Sequence, residues 1–346
     1  MKILAIETSC DETALAVLDT DLGQFARETV YSQIHSHRPF GGIVPEIATR
    51  AHFEVLPEQL KAWYTTGFNL KEMSGIGVTH GPGLVGCLAL GIAFAQTLSW
   101  VGQKPIRGVN HLRAHGFSCF IPDFLARGKN FDMREFLPHL GLLASGGNTL
   151  LFALRYACPM WKFEVLAKTV DDAAGEALDK GARLLHLPYP GGPEIERLGR
   201  RGDPKAFTFP VAFGGGSSER KFSFSGLKTS LRYRLEKESE EWREKNLNSL
   251  CASYQGAVVE ALVGKTQQIL AKSSFASLGL CGGVANNLCL RSAFEHLAHQ
   301  HRLPLHLPEQ RHSGDNAAMI AFDFFMEDLL TTGASPKLDP CLTIEI

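Results

Sequence analysis

His111 and His115 stand four residues apart in Asn110-His111-Leu112-Arg113-Ala114-His115. On a helix, that spacing puts two imidazoles on one face, one turn apart, where they can grip one metal ion. Two ordinary helix histidines would show the same spacing. A zinc protease of the HExxH kind needs Glu directly after the first His, and Leu112 stands there. Two imidazoles leave a metal short of donors, and a carboxylate would complete the two-His-one-carboxylate set that suits iron(II). Asp315, heading a predicted helix beside Asn316, is the candidate, with a plain helix cap as its other reading.

Three glycine-rich segments offer a second kind of chemistry. Ser145-Gly146-Gly147-Asn148-Thr149 could present backbone N–H groups to phosphate or carboxylate oxygens, although Ser-Gly-Gly is also an ordinary turn. Gly282-Gly283-Val284-Ala285-Asn286-Asn287 could let an adenine or ribose approach the backbone, and Pro190-Gly191-Gly192-Pro193 is a third such loop. Neither GxxxxGK[ST] nor GxGxxG occurs, so neither a P-loop nor a dinucleotide-binding turn is supported. His80-Gly81-Pro82-Gly83 reads equally well as a simple turn or as one that carries an imidazole to a site.

The elements that must position these residues follow from apolar patterning. Residues 3–6 and 14–18 are apolar runs around a polar, hydroxyl-rich tip, and residues 141–144 and 150–154 repeat the pattern around Ser145–Thr149. Two such hairpins imply two structurally similar lobes. Between them, a strand at 76–79, the turn at 80–83 and an apolar helix at 84–100 follow βα logic. The stretch 165–187 holds Asp171-Asp172-Ala173-Ala174-Gly175-Glu176 and predicts an amphipathic helix opened by acids. Residues 196–228, rich in Gly, Ser and Arg, predict an irregular surface insertion, and 231–272 read as helical.

Composition bounds the rest. Apolar residues make up 45% of 346, which excludes a disordered chain. Lys plus Arg is 35 and Asp plus Glu is 36, so broad, unaided coating of nucleic acid is disfavoured. Basic residues cluster locally at Arg197, Arg200, Arg201 and Lys205, and again at Arg220, Lys221, Lys228, Arg232 and Arg234. These clusters are either a solvated face or a phosphate track. No signal peptide is apparent, and the stretch 84–101 suits a buried helix better than a membrane span. Eight cysteines without a CxxC pair suggest buried free thiols in a reducing cytosol.

Together the motifs resemble one family. ILAIETSCDETALAVLD (3–19), GGIVPEIATRAH (41–52), HGPGLVG (80–86), HLRAH (111–115), SGGNT (145–149), DDAAGEALDK (171–180), YPGGP (189–193), FSFSGLKT (222–229), GGVANN (282–287) and DNAAMIA (315–321) resemble the TsaD family in its order, over nearly the whole chain. The resemblance implies an α/β fold of the actin, sugar kinase and Hsp70 (ASKHA) type, with two related lobes and a cleft between them. The lobes are expected at 1–110 and 111–346, the second with a basic insertion at about 196–230. A helix at about 315–330 is expected to pack back on the first lobe. It implies an acyltransferase that moves the threonylcarbamoyl group from threonylcarbamoyl-AMP to N6 of adenosine 37 in tRNAs reading codons that begin with adenine. His111, His115 and Asp315 would hold one divalent metal, iron(II) first and zinc or magnesium next. Leu143, Ala144, Ser145, Gly146 and Gly147 would line the substrate site, and Asp179, Gly192 and Asn287 would contact the adenylate. Asp11 is the candidate for proton transfer or orientation. Partners would be a TsaB-like paralogue and a TsaE-like ATPase, in the cytoplasm and without a membrane.

Three positions depart from the family pattern. The family often has His at Asn148, HHMEGH around Arg113, and Arg at Leu288. No proposed metal ligand is lost. Arg113 is expected to offer an extra anion contact. The competing readings are a small-molecule kinase of the same fold, which needs no histidine metal pair, and a non-catalytic paralogue, which would tend to lose such ligands.

Overall fold

Lys2–Glu7 (β1), Glu12–Asp19 (β2), Gln24–Ser32 (β3), Gly75–Gly81 (β4) and Ile106–Asn110 (β5) form a five-stranded sheet in the order β3-β2-β1-β4-β5. β1 and β2 pair antiparallel with Ile6 opposite Leu15, whereas β4 runs parallel to β1 and β5 parallel to β4. β1 and β2 are apolar at nearly every position because both sheet faces are covered. On one face Leu4, Ile6, Leu15 and Val17 pack with Leu56 and Trp63 of helix Pro45–Thr65 and Ile92 and Leu98 of helix Val85–Gly102. On the other face lies helix Ala317–Met326, whose Phe324 ring comes so close to β4 that a Cβ at Gly75 would stand 2.8 Å from it.

A second sheet has the order β11-β10-β6-β7-β8-β9, built from His139–Ala144 (β6), Thr149–Ala157 (β7), Met160–Thr169 (β8), Lys221–Phe222 (β9), Ser277–Cys281 (β10) and Leu305–His306 (β11). Here too a central strand pairs antiparallel with its successor and parallel with a later one, β6 with β7 and with β10. The segment β8-β7-β6-β10-β11 repeats the topology of β3-β2-β1-β4-β5, so the doubled hairpin of the sequence reflects a doubled α/β motif of the ASKHA type.

The structure, a computed structural model, describes residues 1–212, 220–327 and 336–345. It divides into two compact units, Met1–Glu135 with Ala157–Phe163 and Leu307–Ile346, and Phe136–Tyr156 with Glu164–His306. This differs from a division at 110/111. Helix His111–Ser118 is capped from the last residue of β5, and the first unit reclaims the end of the chain through helix Ala317–Met326. That helix ends earlier than the expected 330, and residues 328–330 lie outside the described ones.

Other expectations are corrected. Residues 165–169 belong to β8, and the helix runs over Ala174–Leu184. Asp171 does not open that helix. Its carboxylate accepts the Phe224 and Ser225 N–H groups at 2.8 and 3.4 Å and so caps helix Ser225–Leu235. The expected irregular stretch 196–228 is regular only in the last turn of helix Gly191–Gly199, in β9 and in the start of helix Ser225–Leu235; residues 200–212 form turns and bends, and 213–219 lie outside the described ones. Helix Val85–Gly102 has the length and apolar character of a membrane span by composition, with a mean hydropathy of 1.5. Only one of its faces is buried, and Trp100 and Val101 are exposed. Of the eight thiols, Cys158, Cys289 and Cys341 are exposed rather than buried.

The end of helix Ala317–Met326 is held by charge. The Arg107 guanidinium donates to the Phe324 carbonyl at 2.6 Å and the Glu327 carbonyl at 2.5 Å, as suits a cation at a helix C-terminus, and lies over the Phe324 ring at 4.1 Å. Beside it Asp323 is buried, and its Oδ2 has no hydrogen-bond partner among the described residues. Burial, with Glu327 adding to it against Arg113 and Arg107, pushes the Asp323 carboxyl up to about 8. An unfolded Asp ionises near ~4, so the folded chain holds this proton more tightly. The resulting stabilisation is complete below about pH 4 and is lost as pH rises toward 8. Asp323→Asn is therefore expected to flatten the fall in thermal midpoint between pH 5 and 8. Parallel melting curves for the two proteins would refute it.

Candidate functional site

Asn110 fixes where the histidine helix begins. Its Oδ1 accepts the N–H groups of Leu112 and Arg113 at 2.9 and 3.2 Å, an N-cap that starts the helix at His111. Its Nδ2 donates to the Thr343 carbonyl at 2.8 Å, tying that cap to the 337–344 segment. His111 and His115 then fall on one face, with ring centroids 4.7 Å apart and the rings nearly perpendicular.

Asp315 is not the cap of the helix it precedes. Asn316 is, accepting Met319 N–H at 2.9 Å, which leaves the Asp315 carboxylate to the imidazoles. Asp315 Oδ1 lies 3.0 Å from His115 Nε2 and 3.5 Å from His111 Nε2. One ligand atom from each of the three residues falls within 4.8 Å of the others.

The electrostatics suit cation binding. Burial pushes Asp315 up, but the two imidazoles outweigh it and bring the carboxyl down to about 2. Burial works against a charged His111, yet Asp315 and Glu7 overcome it and raise that imidazole to about 9. His115 is lowered, chiefly by burial. Negative charge is thus concentrated on one side of two Nε2 atoms, where a divalent cation would displace the proton. Two imidazoles and one carboxylate, all buried or nearly so, fit a single divalent transition metal.

Sequence reasoning missed the residues beneath His111. Glu7, at the end of β1, is fully buried, and burial pushes its carboxyl up while the His111 charge and hydrogen bond pull it below the usual range. Asp11 is buried too. Burial raises its carboxyl, and its neighbour Glu12 is raised well above the usual range, by burial first and then by Asp11. His80, a possible site imidazole, instead donates from Nδ1 to the Lys337 carbonyl at 2.9 Å, so it serves the turn.

The expected substrate residues lie in the second unit. Gly146, Asp179, Gly192 and Asn287 line one cavity of about 170 Å³. Leu143 and Ala144 do not line it, being wholly buried in β6. Ser145 is engaged in its turn, its N–H donating to the Asn148 carbonyl at 2.8 Å, which leaves Gly146 and Gly147 as the exposed part of the loop. Asp179 Oδ1 accepts the N–H groups of Gly191 and Gly192 at 2.7 and 3.2 Å and so shapes the YPGGP turn. Asn287 caps helix Leu288–His301 through Leu290 N–H at 3.0 Å and donates to Gln255 Oε1 at 2.8 Å.

The TsaD family profile, described as tRNA N6-adenosine threonylcarbamoyltransferase, matches residues 24–322. The chain belongs to the TsaD family. A relative named tRNA N6-adenosine threonylcarbamoyltransferase from Syntrophobacter fumaroxidans is 45% identical over 327 residues, covering 93% of this chain and 92% of the relative. Among solved structures, HypF from T. kodakarensis gives a TM-score of 0.58 at 15% identity, covering 94% of this chain and 47% of that one. Component A of the Acidaminococcus fermentans (R)-2-hydroxyglutaryl-CoA dehydratase gives 0.52 at 13%, covering 94% and 97%. At such identities the likeness is one of fold.

Two departures from the TsaD pattern now have physical places. The Arg113 guanidinium pairs with Glu327 and lies over the Phe163 ring at 5.1 Å. Leu288 is exposed beside the cavity-lining Asn287, and its N–H donates to Glu196 Oε1 at 3.3 Å.

Proposed function

We propose that this chain transfers the threonylcarbamoyl group of threonylcarbamoyl-AMP to N6 of adenosine 37 in tRNAs that read codons beginning with adenine. One observation carries the reading: relatives named for tRNA N6-adenosine threonylcarbamoyl transfer align over nine-tenths of the chain, at up to 45% identity. In the reaction, the N6 amine attacks the carbamoyl carbon, a C–N bond forms, and the bond to the phosphate oxygen breaks. AMP leaves with the bonding electron pair, and the amine gives up a proton.

Particular residues take roles in that scheme. His111, His115 and Asp315 hold one divalent metal, iron(II) in this reading, which when bound supplies Lewis acidity toward the acyl carbonyl. The exposed N–H groups of Gly146 and Gly147 receive anionic oxygens of the acyl-adenylate. Asp179 and Asn287 keep the walls of the 170 Å³ cavity in place by capping, with Gly192 left bare for a ligand to approach. Asp11 accepts the proton lost by the amine, directly or through water. A TsaB-like paralogue and a TsaE-like ATPase assist. The basic residues of helix Ser225–Leu235, among them Lys228, Arg232 and Arg234, meet the tRNA backbone.

The test is to incubate the purified chain with unmodified tRNA, threonylcarbamoyl-AMP, iron(II) and both partners, and to analyse digested nucleosides by mass spectrometry. Threonylcarbamoyladenosine is the expected product. Its absence, with a bacterial relative active in parallel, overturns the reading.

A further inference from the structure

Glu7 is the most deeply buried carboxylate near the triad, with no exposed surface. A buried carboxylate is costly unless its oxygens are engaged. Glu7 Oε1 accepts the Ser9 N–H, and Oε2 accepts the Thr79 hydroxyl. Thr79 sits on β4, beside β1, and is itself fully buried, so the carboxylate is pinned from its own turn and from the neighbouring strand. The remaining reach of Oε2 goes to His111 Nδ1 at 3.2 Å.

His111 therefore stands between two carboxylates. Its Nδ1 faces Glu7, while its Nε2 faces Asp315 at 3.5 Å. An imidazole that donates Nδ1–H to a carboxylate must present its lone pair on Nε2 if it is neutral. The Ser9 hydroxyl lies at the same 3.2 Å from Nδ1, but a carboxylate is the stronger acceptor. His115 is held differently: its Nε2 meets Asp315 at 3.0 Å, and its buried Nδ1 has no hydrogen-bond partner among the described residues.

We propose that Glu7 is a positioning residue that fixes the His111 ring and its tautomer, so that Nε2 faces Asp315 ready to take a metal. The inference rests on the reading of His111, His115 and Asp315 as metal ligands. It assigns the two histidines unequal support, with the β-sheet core, through Glu7 and Thr79, behind His111 only.

The experiment measures metal affinity rather than turnover. Apo wild type, His115→Ala, Glu7→Gln and Thr79→Val are titrated anaerobically with cobalt(II) against a competing chelator, and folding of each is checked by circular dichroism. Wild type is expected to bind one equivalent and His115→Ala to lose it. Failure of that pair removes the metal reading and this inference with it. Glu7→Gln, which keeps the shape and loses the charge, is expected to bind about 10- to 100-fold more weakly. In the zinc-loaded wild type, nitrogen NMR is expected to show the His111 hydrogen on Nδ1. A folded Glu7→Gln with wild-type affinity overturns the proposal while leaving the metal reading intact. If Glu7→Gln does not fold, Thr79→Val decides, because it loosens Glu7 without touching His111: weaker binding supports the proposal, and unchanged binding overturns it.

Discussion

Asp315→Ala is expected to lower metal affinity by more than ~100-fold and to bring threonylcarbamoyl transfer to background. Loss of an outer-shell partner already costs 10- to 100-fold, and a direct ligand matters more. The geometry makes the effect specific to this carboxylate. Among the described residues it is the one group that both Nε2 atoms face, at 3.0 and 3.5 Å, and the two imidazoles draw its carboxyl down to about 2. It is not the helix cap, so removing it leaves the Asn316 bond to Met319 N–H and the start of helix Ala317–Met326 in place. Asp315→Asn separates charge from shape: it can still accept a hydrogen bond, but it cannot balance a divalent cation. Metal analysis and nucleoside mass spectrometry on the same preparations check the prediction. An Asp315→Ala protein that retains one tightly bound metal would show that the triad is not the site.

Gly81→Ala is expected to be the most damaging small substitution in the first unit. A Cβ there would stand 1.8 Å from the Asp339 carbonyl oxygen, a distance no relaxation of side chains can absorb. The 337–344 segment must move away. It would take with it the bond from Asp339 N–H to the His80 carbonyl, at 2.9 Å, and the one from Asn110 Nδ2 to Thr343. Leu342 and Ile344 would leave their buried positions, at about 1.5 to 3 kcal/mol for each side chain. A loss of about 3 kcal/mol or more is therefore expected, read from denaturant unfolding, with new proteolytic cleavage beyond residue 336. Because Asn110 caps the histidine helix, metal affinity should fall as well. Wild-type stability would refute the argument.

The contrast between what patterning revealed and what it hid follows the range of the interactions. The pair at 111 and 115 was legible because helical spacing alone sets their separation. The repeated hairpins were legible because apolar runs flanking a polar tip are a local signal. Asp315 was found, yet its cap reading was undone by Asn316, since two adjacent capping residue types cannot be told apart by sequence. β8 was missed although MWKFEVLAKT alternates with period two, because the acids after it looked like a helix start, whereas Asp171 reaches across to residues 223–225. Leu143 and Ala144 were placed by motif, but strand geometry buries them. Glu7 left no local sign of its role: its partner His111 is 104 positions away, and only sheet pairing brings Thr79 to it.

Chain order also bears on when the metal can arrive. His115 and Asp315 are separated by 200 positions, and the Thr343 carbonyl that steadies Asn110 comes later still. A nascent chain that has displayed both histidines still lacks the carboxylate between them until a further 200 residues have been added. A metal held by all three residues would therefore be taken up only after Asp315 has emerged and folded against the histidine helix, not while the two imidazoles stand alone.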